Sequence, residues 1–429
     1  MVKVKEVAER EELTPEQDAM ITQLLDKISN PLPKFLQVLD EGDRRIMVSK
    51  FLVARRWKPA DAEDMLRKTI AFREEQKFDD LCWFPSAYPI RGYDQQDINR
   101  ALNAEPRVAG DWYDHAVKAI LPTFGMNYHY YDKTGHPVYI ERSGVIHLRE
   151  CIGRMRKMCK VGEDPAAIGI RFHCGLNETG GRLARYMDKK IREETHGERR
   201  VLGITAVLDA SGLGYAHMWN PAIDIFKKIL TVDQSYYPEG LHRLFVVNCP
   251  SMIMFAYSLV KGHLDPRLQA KIVFVNPKET TETLLQVIDA DKLPAFLGGK
   301  CECEGGCVPM PKDGEDTFAE DIGDSFTEDV KVHAGEDLVK EFALLPREQI
   351  TWEFLSTTGH DVRFDAKFVD AHGNTTVVVA PHKLKDSSES FEAANHGKLV
   401  LTWDNTHSWL KAKKLQIRII RSHSQRNCS

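Results

Sequence analysis

No stretch of this chain approaches the ~18 consecutive apolar residues that a bilayer-spanning helix needs. The opening MVKVKEVAEREELTP also lacks the apolar core of a secretory signal. Both absences predict a protein that stays in the cytoplasm. A basic excess is missing too: the net charge is -5, whereas nucleic-acid binders carry a strongly basic footprint, so no nucleic-acid partner is expected. The nine cysteines are odd in number and irregularly spaced, which fits reduced thiols better than a disulfide framework. Cys301, Cys303 and Cys307 stand close together, but C-x-C-x₃-C is not a regular zinc spacing and no matching His or Cys group stands out. No metal is expected. Asp209, Ser211 and His217 lack the GxSxG elbow that would make them hydrolase parts. Gly212-x-Gly214 lacks the third glycine of a dinucleotide fingerprint. The expectation is a protein that is not an enzyme.

What is present is enough apolar text for several cores. Hydrophobic residues make up 42% and charged residues 28% of 429 positions, a globular composition over a length that predicts two or three domains. From Asp43, apolar residues Met47, Val48, Phe51 and Leu52 fall on one helical face. Pro59 suits the first turn of a second helix, carried on by Ala62, Met65, Leu66 and Ile70. YYDKTGHPVYIERSG reads as a hairpin with its turn at Asp132-Lys133-Thr134-Gly135. PVYIE, ITAVLD, RLFVVN and KIVFV are strand candidates separated by helical stretches, the pattern of an α/β sheet. The first of them need not run parallel to the rest.

The densest text is YYPEGLHRLFVVNCPSMIMFAYSLVKGHLDPRLQAKIVFVNP, followed by LPAFLGG. It describes a β-α-β unit whose connecting helix, 252–260, is apolar nearly all round, with only Ser258 and the Tyr257 hydroxyl interrupting it. Such a helix is buried or covers something greasy. After Gly299 the composition turns acidic and rich in Gly and Pro, as in a linker. Beyond it the apolar period becomes two: Val362, Phe364, Ala366 and Phe368 alternate with polar residues, as do Leu415, Ile417 and Ile419. That pattern predicts an all-β sandwich with one buried and one wet face per strand.

The order YPE, NxP, apolar helix, LDP, KI and LPxxxGG resembles the CRAL-TRIO lipid-binding family, which includes the fungal phosphatidylinositol transfer proteins. FLVARRW and Phe72-Arg73 are similar to the small helical subdomain that precedes such domains. LVLTWDNTHSWLKAKKLQIRI resembles the GOLD domain, a β-sandwich. The resemblance implies a division into a flexible lead-in (1–20), a helical N-terminal subdomain (21–90), an α/β CRAL-TRIO domain (91–301), an acidic linker (302–325), a GOLD-like β-sandwich (326–421) and a tail (422–429).

It also implies sites. In phosphatidylinositol-binding members an arginine of the FLxARx helix, the glutamate of YPE and the lysine of the KI strand hold the headgroup. Arg55, Glu239 and Lys271 match them, with Arg56 as a second basic residue; such groups suit phosphate and inositol hydroxyls. Leu268 departs from the small hydroxyl residue of fungal members, so one inositol contact is missing. Tyr128 and Tyr139 match the family's pocket tyrosines, while Gly214 and Ala216 replace the hydroxyl residues expected for choline recognition. The helix 252–260 would be the gate, with Met252, Phe255, Leu259 and Val260 lining the pocket or touching membrane. A gate is physically required: a diacyl lipid buries about thirty methylenes, so carrying it bare through water would cost on the order of twenty kcal/mol.

The function expected is binding a phospholipid or another hydrophobic ligand, such as an isoprenoid lipid, and moving or presenting it at a transient membrane surface, with no cofactor beyond the lipid. The competing expectation is a lipid-sensing scaffold of Golgi or vesicle trafficking, docking a protein partner or an anionic membrane through Trp409 and the Lys411, Lys413, Lys414 cluster.

Overall fold

The computed structural model describes residues 4, 13–80, 90–101, 116–117, 120–214, 220–250, 257, 262, 264–311 and 325–422. It divides into two compact units, Met1–Cys151 with Gly169–Lys312, and Ile152–Ile168 with Asp313–Ser429.

The first unit opens with helices whose ends are written in the sequence. Thr14 caps the helix Pro15–Ile28 in a capping box with Gln17. Asp40 caps the helix Glu41–Ala54 through the amide of Asp43. That helix ends where Arg56 and Trp57 turn left-handed, at φ 54° and 57°, and Pro59 then starts the helix Pro59–Gln76. Ile21, Leu24, Val48, Phe51, Leu52, Met65 and Leu66 close the shared core. Arg73 joins these helices to the rest of the unit. Its guanidinium meets Glu178 at 2.6 Å and Asp79 at 2.6 Å, both acids being mostly buried.

A six-stranded sheet follows, ordered β1 (Ile90–Arg91), β2 (Met126–Tyr131), β3 (Pro137–Glu141), β4 (Ile204–Asp209), β5 (Leu241–Val247) and β6 (Ile272–Phe274). β2 and β3 form the antiparallel hairpin and every other pair is parallel. At its turn Asp132 accepts from the amides of Thr134 and His136 at 2.9 and 3.0 Å, and from the Thr205 hydroxyl at 2.7 Å. Long crossovers carry the helices Ala166–Glu194 and Asn220–Tyr236.

Register decides which residues face which side. Asn127, Ile140, Val207, Phe245 and Val273 are cross-strand partners, so they share one face. Val138, Ile140, Val207, Phe245 and Val247 pack there against Leu284, Ile288, Leu293, Leu297 and Val308. Gly299 belongs to this packing, because a Cβ on it would lie 1.9 Å from the Leu293 carbonyl; that approach is why LPAFLGG ends in glycine.

The second unit contains two four-stranded antiparallel sheets. One runs β11 (Thr375–Leu384), β10 (Val362–Asp370), β13 (Gly397–Asp404), β8 (Asp337–Leu344); the other runs β12 (Asp386–Glu392), β9 (Gln349–Ser356), β14 (Lys413–Ser422), β7 (Ser325–Val332). Trp352, Phe354, Phe364 and Trp403 fill the space between, none more than 1% exposed. The alternation expected at Val362, Phe364, Ala366 and Phe368, and at Leu415, Ile417 and Ile419, is that of the core-facing positions. Within this unit the Gly162 amide donates to Gln416 at 2.8 Å, so the stretch leading into the helix Ala166–Glu194 belongs with the sandwich.

Candidate functional site

The other face of the six-stranded sheet differs in character. Tyr128, Tyr139, Ala206, Leu244 and Ile272 are paired neighbours across it, and Glu141, Leu208, Val246 and Phe274 form the next row. Whereas Val207, Phe245 and Val247 opposite are fully buried, Leu208, Leu244, Val246, Ile272 and Phe274 remain half-buried. The helix Asn220–Tyr236 is alike: Ile223, Ile225, Ile229 and Leu230 are half-buried and Phe226 is 45% exposed. Rows of apolar side chains left partly uncovered inside one domain are the surface a hydrophobic ligand would cover.

At one end of the domain stands a charged cluster. Glu239, left-handed at φ 51° in the turn before β5, pairs with Lys271 at 2.8 Å and with Arg267 at 3.4 Å. Lys271 also donates to the Leu241 carbonyl at 2.7 Å. Arg267 donates to the carbonyls of Val53 and Ala54, the latter at 2.7 Å, satisfying groups that a helix C-terminus leaves unpaired. Arg55 and Arg56 follow directly in sequence. Asp265 caps the turn Pro266–Ala270 through the Arg267 amide. Burial raises its pKa, but the Arg267 amide and guanidinium and the charge of Arg56 outweigh this and hold it below the ordinary range. Arg267 thus ties the end of the FLVAR helix to Glu239 and Lys271. Sequence reasoning passed over it; its place directly after Leu264-Asp265-Pro266 was the available signal.

The tyrosines are engaged within the domain. Tyr128 is buried and donates to the Leu176 carbonyl at 2.8 Å, and burial raises its pKa above the usual range. Tyr139 donates to Glu141 at 2.8 Å, and the two rings lie 5.4 Å apart. Nearby on the crossover helices, Asp233 takes His173 and Asn177 at 2.7 Å each. Met252, Phe255, Leu259 and Val260 lie outside the described residues. Tyr257 from the same segment sets its ring 4.7 Å from Phe274.

The NxP turn has a structural explanation. Asn248, at φ 51°, donates to Asp209 at 2.8 Å, and Asp209 also accepts from the Ser211 amide at 3.0 Å. Asp209 therefore joins the ends of β4 and β5.

Two groups have the composition of metal ligands: Asp132, His136 and His242, and His129 with Cys301, Cys303 and Cys307. In the first, Asp132 is already saturated by the hairpin, and the rings of His136 and His242 stack at 3.7 Å. The second corrects the expectation that the cysteines lack a matching histidine, since the fold brings His129 to them from β2. Their sulfurs sit on ordered chain: Val308 is in the sheet core, and Asn127 donates to the Cys307 carbonyl at 2.7 Å.

Residues 123–299 match the family model described as the CRAL/TRIO domain. The chain carries a CRAL-TRIO domain. Over 183 residues it is 37% identical to "Phosphatidylinositol/phosphatidylcholine transfer protein SFH11" of Arabidopsis thaliana, covering 42% of this chain and 45% of that protein. It is 24% identical over 393 residues to "Patellin-3" of Arabidopsis thaliana, covering 89% of this chain and 67% of that one. It is 26% identical over 387 residues to "Protein real-time" of Drosophila melanogaster, covering 87% and 48%. The last two alignments are long enough to run beyond the CRAL-TRIO domain into the sandwich, whose architecture is the one the GOLD resemblance implied. The chain spans 30 to 45% of the length of three phosphatidylinositol/phosphatidylcholine transfer proteins that it matches. Among the described residues no helix is long and apolar enough to cross a membrane.

Proposed function

We propose that the chain binds a phospholipid, with phosphatidylinositol as the leading ligand, and transfers or presents it between membranes without bond chemistry. The observation that carries this reading is the half-buried apolar face of the sheet together with the Glu239, Lys271 and Arg267 cluster joined to the FLVAR helix. Acyl chains suit the first and an anionic headgroup the second: Arg56, Arg267 and Lys271 set three cations against the carboxylates of Glu239 and Asp265, and Arg55 stands at the same helix end. The names of the related transfer proteins support the ligand class. The segment 252–260, which the sequence predicts to be an apolar helix, is the proposed gate, and the site of action is a cytoplasmic membrane surface. Native mass spectrometry of lipid co-purified with the chain tests the ligand, and a vesicle-to-vesicle assay with labelled phosphatidylinositol tests transfer. A protein that carries no lipid and accelerates no exchange overturns the reading.

A second reading, a lipid-sensing scaffold, is favoured by the sandwich. Trp409 and Leu410 are 93% and 94% exposed in a loop fixed by the buried Asn405, whose amide donates to the carbonyls of His333 and Lys411 at 3.0 Å each. The basic cluster expected beside them is smaller than the sequence suggested, because Lys413 is buried. Lipid-dependent capture of a partner without lipid exchange decides for the scaffold.

A further inference from the structure

We propose that Cys301, Cys303, Cys307 and His129 form a structural zinc site that fastens the end of the lipid-binding unit to β2 of its sheet. The four ligand atoms all lie within 4.8 Å of one another. The Cys301 and Cys303 sulfurs are 3.7 Å apart. With Zn–S bonds of ~2.3 Å, tetrahedral geometry places two sulfurs about 3.8 Å apart, so these two already stand at the edge length of a metal tetrahedron.

The histidine supplies the second observation. His129 is 1% exposed, and neither ring nitrogen meets a partner at hydrogen-bonding geometry, although the backbone of Lys292 lies close by. A buried imidazole without a partner is costly and calls for an explanation. A metal on one nitrogen, with the other turned to the neighbouring backbone, is how protein-bound imidazoles are commonly held.

The chain around the cysteines is shaped to present them. Cys301 is fixed by its amide to the Leu293 carbonyl at 3.0 Å, and its own carbonyl accepts from the Ala295 amide at 3.0 Å. Gly305 and Gly306 turn left-handed, at φ 72° and 89°, and bring Cys307 back. The Cys303 amide then donates to the Cys307 sulfur at 3.4 Å, a contact that favours the thiolate. Asn127, two residues before His129 on β2 and so on the same face of the sheet, holds the Cys307 carbonyl. Arg91 donates to the Glu304 carbonyl at 3.1 Å and supplies a cation beside a centre in which three thiolates and one Zn²⁺ leave a net charge of -1.

The donor set selects the ion. Three thiolates and one imidazole suit zinc, and four protein ligands close the coordination sphere as in structural rather than catalytic sites. When Zn²⁺ binds, each bound thiol releases its proton, the sulfurs are not oxidised, and no co-reactant is needed.

The test uses the full chain purified under reducing conditions with zinc supplied during expression, then dialysed against metal-free buffer. Elemental analysis is expected to find about one zinc per chain. X-ray absorption is expected to show three sulfur neighbours and one nitrogen. Cys303→Ser and His129→Ala should each weaken zinc retention at least tenfold against a competing chelator, in line with loss of a ligand. Circular dichroism checks that the variants stay folded. Should they unfold, the stoichiometry and the sulfur count of the unmutated chain still decide. Zinc well below stoichiometric, a first shell without sulfur, or unchanged retention in folded Cys303→Ser would each overturn the site.

Discussion

Lys271 and Glu239 face each other at 2.8 Å, and Lys271 spends a second ammonium proton on the Leu241 carbonyl. One of its three donors is left for a ligand, on a side chain already held in place by the other two. Lys271→Ala is therefore expected to lower phosphatidylinositol transfer about tenfold to a hundredfold, the loss of one charged hydrogen bond. Loading with an uncharged lipid should stay near the starting level, and thermal unfolding should shift little. Equal phosphatidylinositol transfer by variant and parent removes the lysine from the headgroup site.

The Arg73 pairing is a matter of stability. Arg73 is 8% exposed, and its guanidinium bridges Glu178 and Asp79 and lies 4.8 Å over the Phe35 ring. Removing one member of a buried ion pair strands the other, so Arg73→Ala should cost ~3–5 kcal/mol in urea unfolding. Arg73→Met with Glu178→Gln should cost less than Arg73→Ala alone, because of the two carboxylates left without a partner only Asp79 remains charged. A single-variant cost below ~1 kcal/mol would mean that water reaches the pair.

The fold was legible where period and punctuation agree. Phe364 and Ile417 sit in the sandwich core because alternation leaves one face to bury, and Trp57 ends a helix just where Pro59 can start another. Glu239 and Lys271 were legible through motif order and stand together. Arg267 was missed because what links it to the FLVAR helix is its bonds to the backbone carbonyls of Val53 and Ala54, which no side-chain pattern advertises. His129 was missed for a related reason: strand register, rather than spacing along the chain, brings it to Cys301, and register depends on every strand between.

Asp132 makes acid the weak side of the first unit. Burial opposes its charge, but His136, Thr205 and Thr134 outweigh this and hold the carboxyl at about 2. A depressed folded pKa gives stability that is present above the unfolded value of ~3.9 and lost as pH falls through 2, about 2–3 kcal/mol in all. His173 acts in the other direction. Burial alone would lower its pKa, yet Asp233 raises it, so its contribution is full below ~6.5 and fades as pH rises through the raised value. Unfolding free energies of Asp132→Asn should be lower at neutral pH and flatter between pH ~4 and ~2. An unchanged acid slope would assign the loss to other carboxylates.

The domain division can be tested by limited proteolysis. Cys301, Cys307 and Val308 are buried, while DGEDTFAEDIGD at 313–324 has the acidic, apolar-poor composition of a linker. The first cut is expected within 313–324, giving two fragments on a denaturing gel, with 301–308 retained on the larger one. First cleavage inside 301–308, or a single resistant core spanning 313–324, contradicts that placement.

Trp409 and Leu410 provide the sharpest test of the sandwich. Asn405 is fully buried and grips both sides of the loop, so the two side chains are held out by a rigid base rather than by a floppy turn. Exposed Trp and Leu beside the exposed Lys411 and Lys414 match an interfacial membrane anchor, with ~1 kcal/mol per lysine on anionic lipid and ~1.5–3 kcal/mol for each large apolar side chain that is covered. The apolar part outweighs the charged part. Trp409→Ala with Leu410→Ala should therefore reduce binding to phosphatidylserine-containing vesicles far more than raising salt does, and should leave lipid loading of the CRAL-TRIO domain unchanged. Vesicle binding that survives the double substitution but disappears in salt would move the contact to the lysines. Binding unaffected by either change would leave this loop to a protein partner.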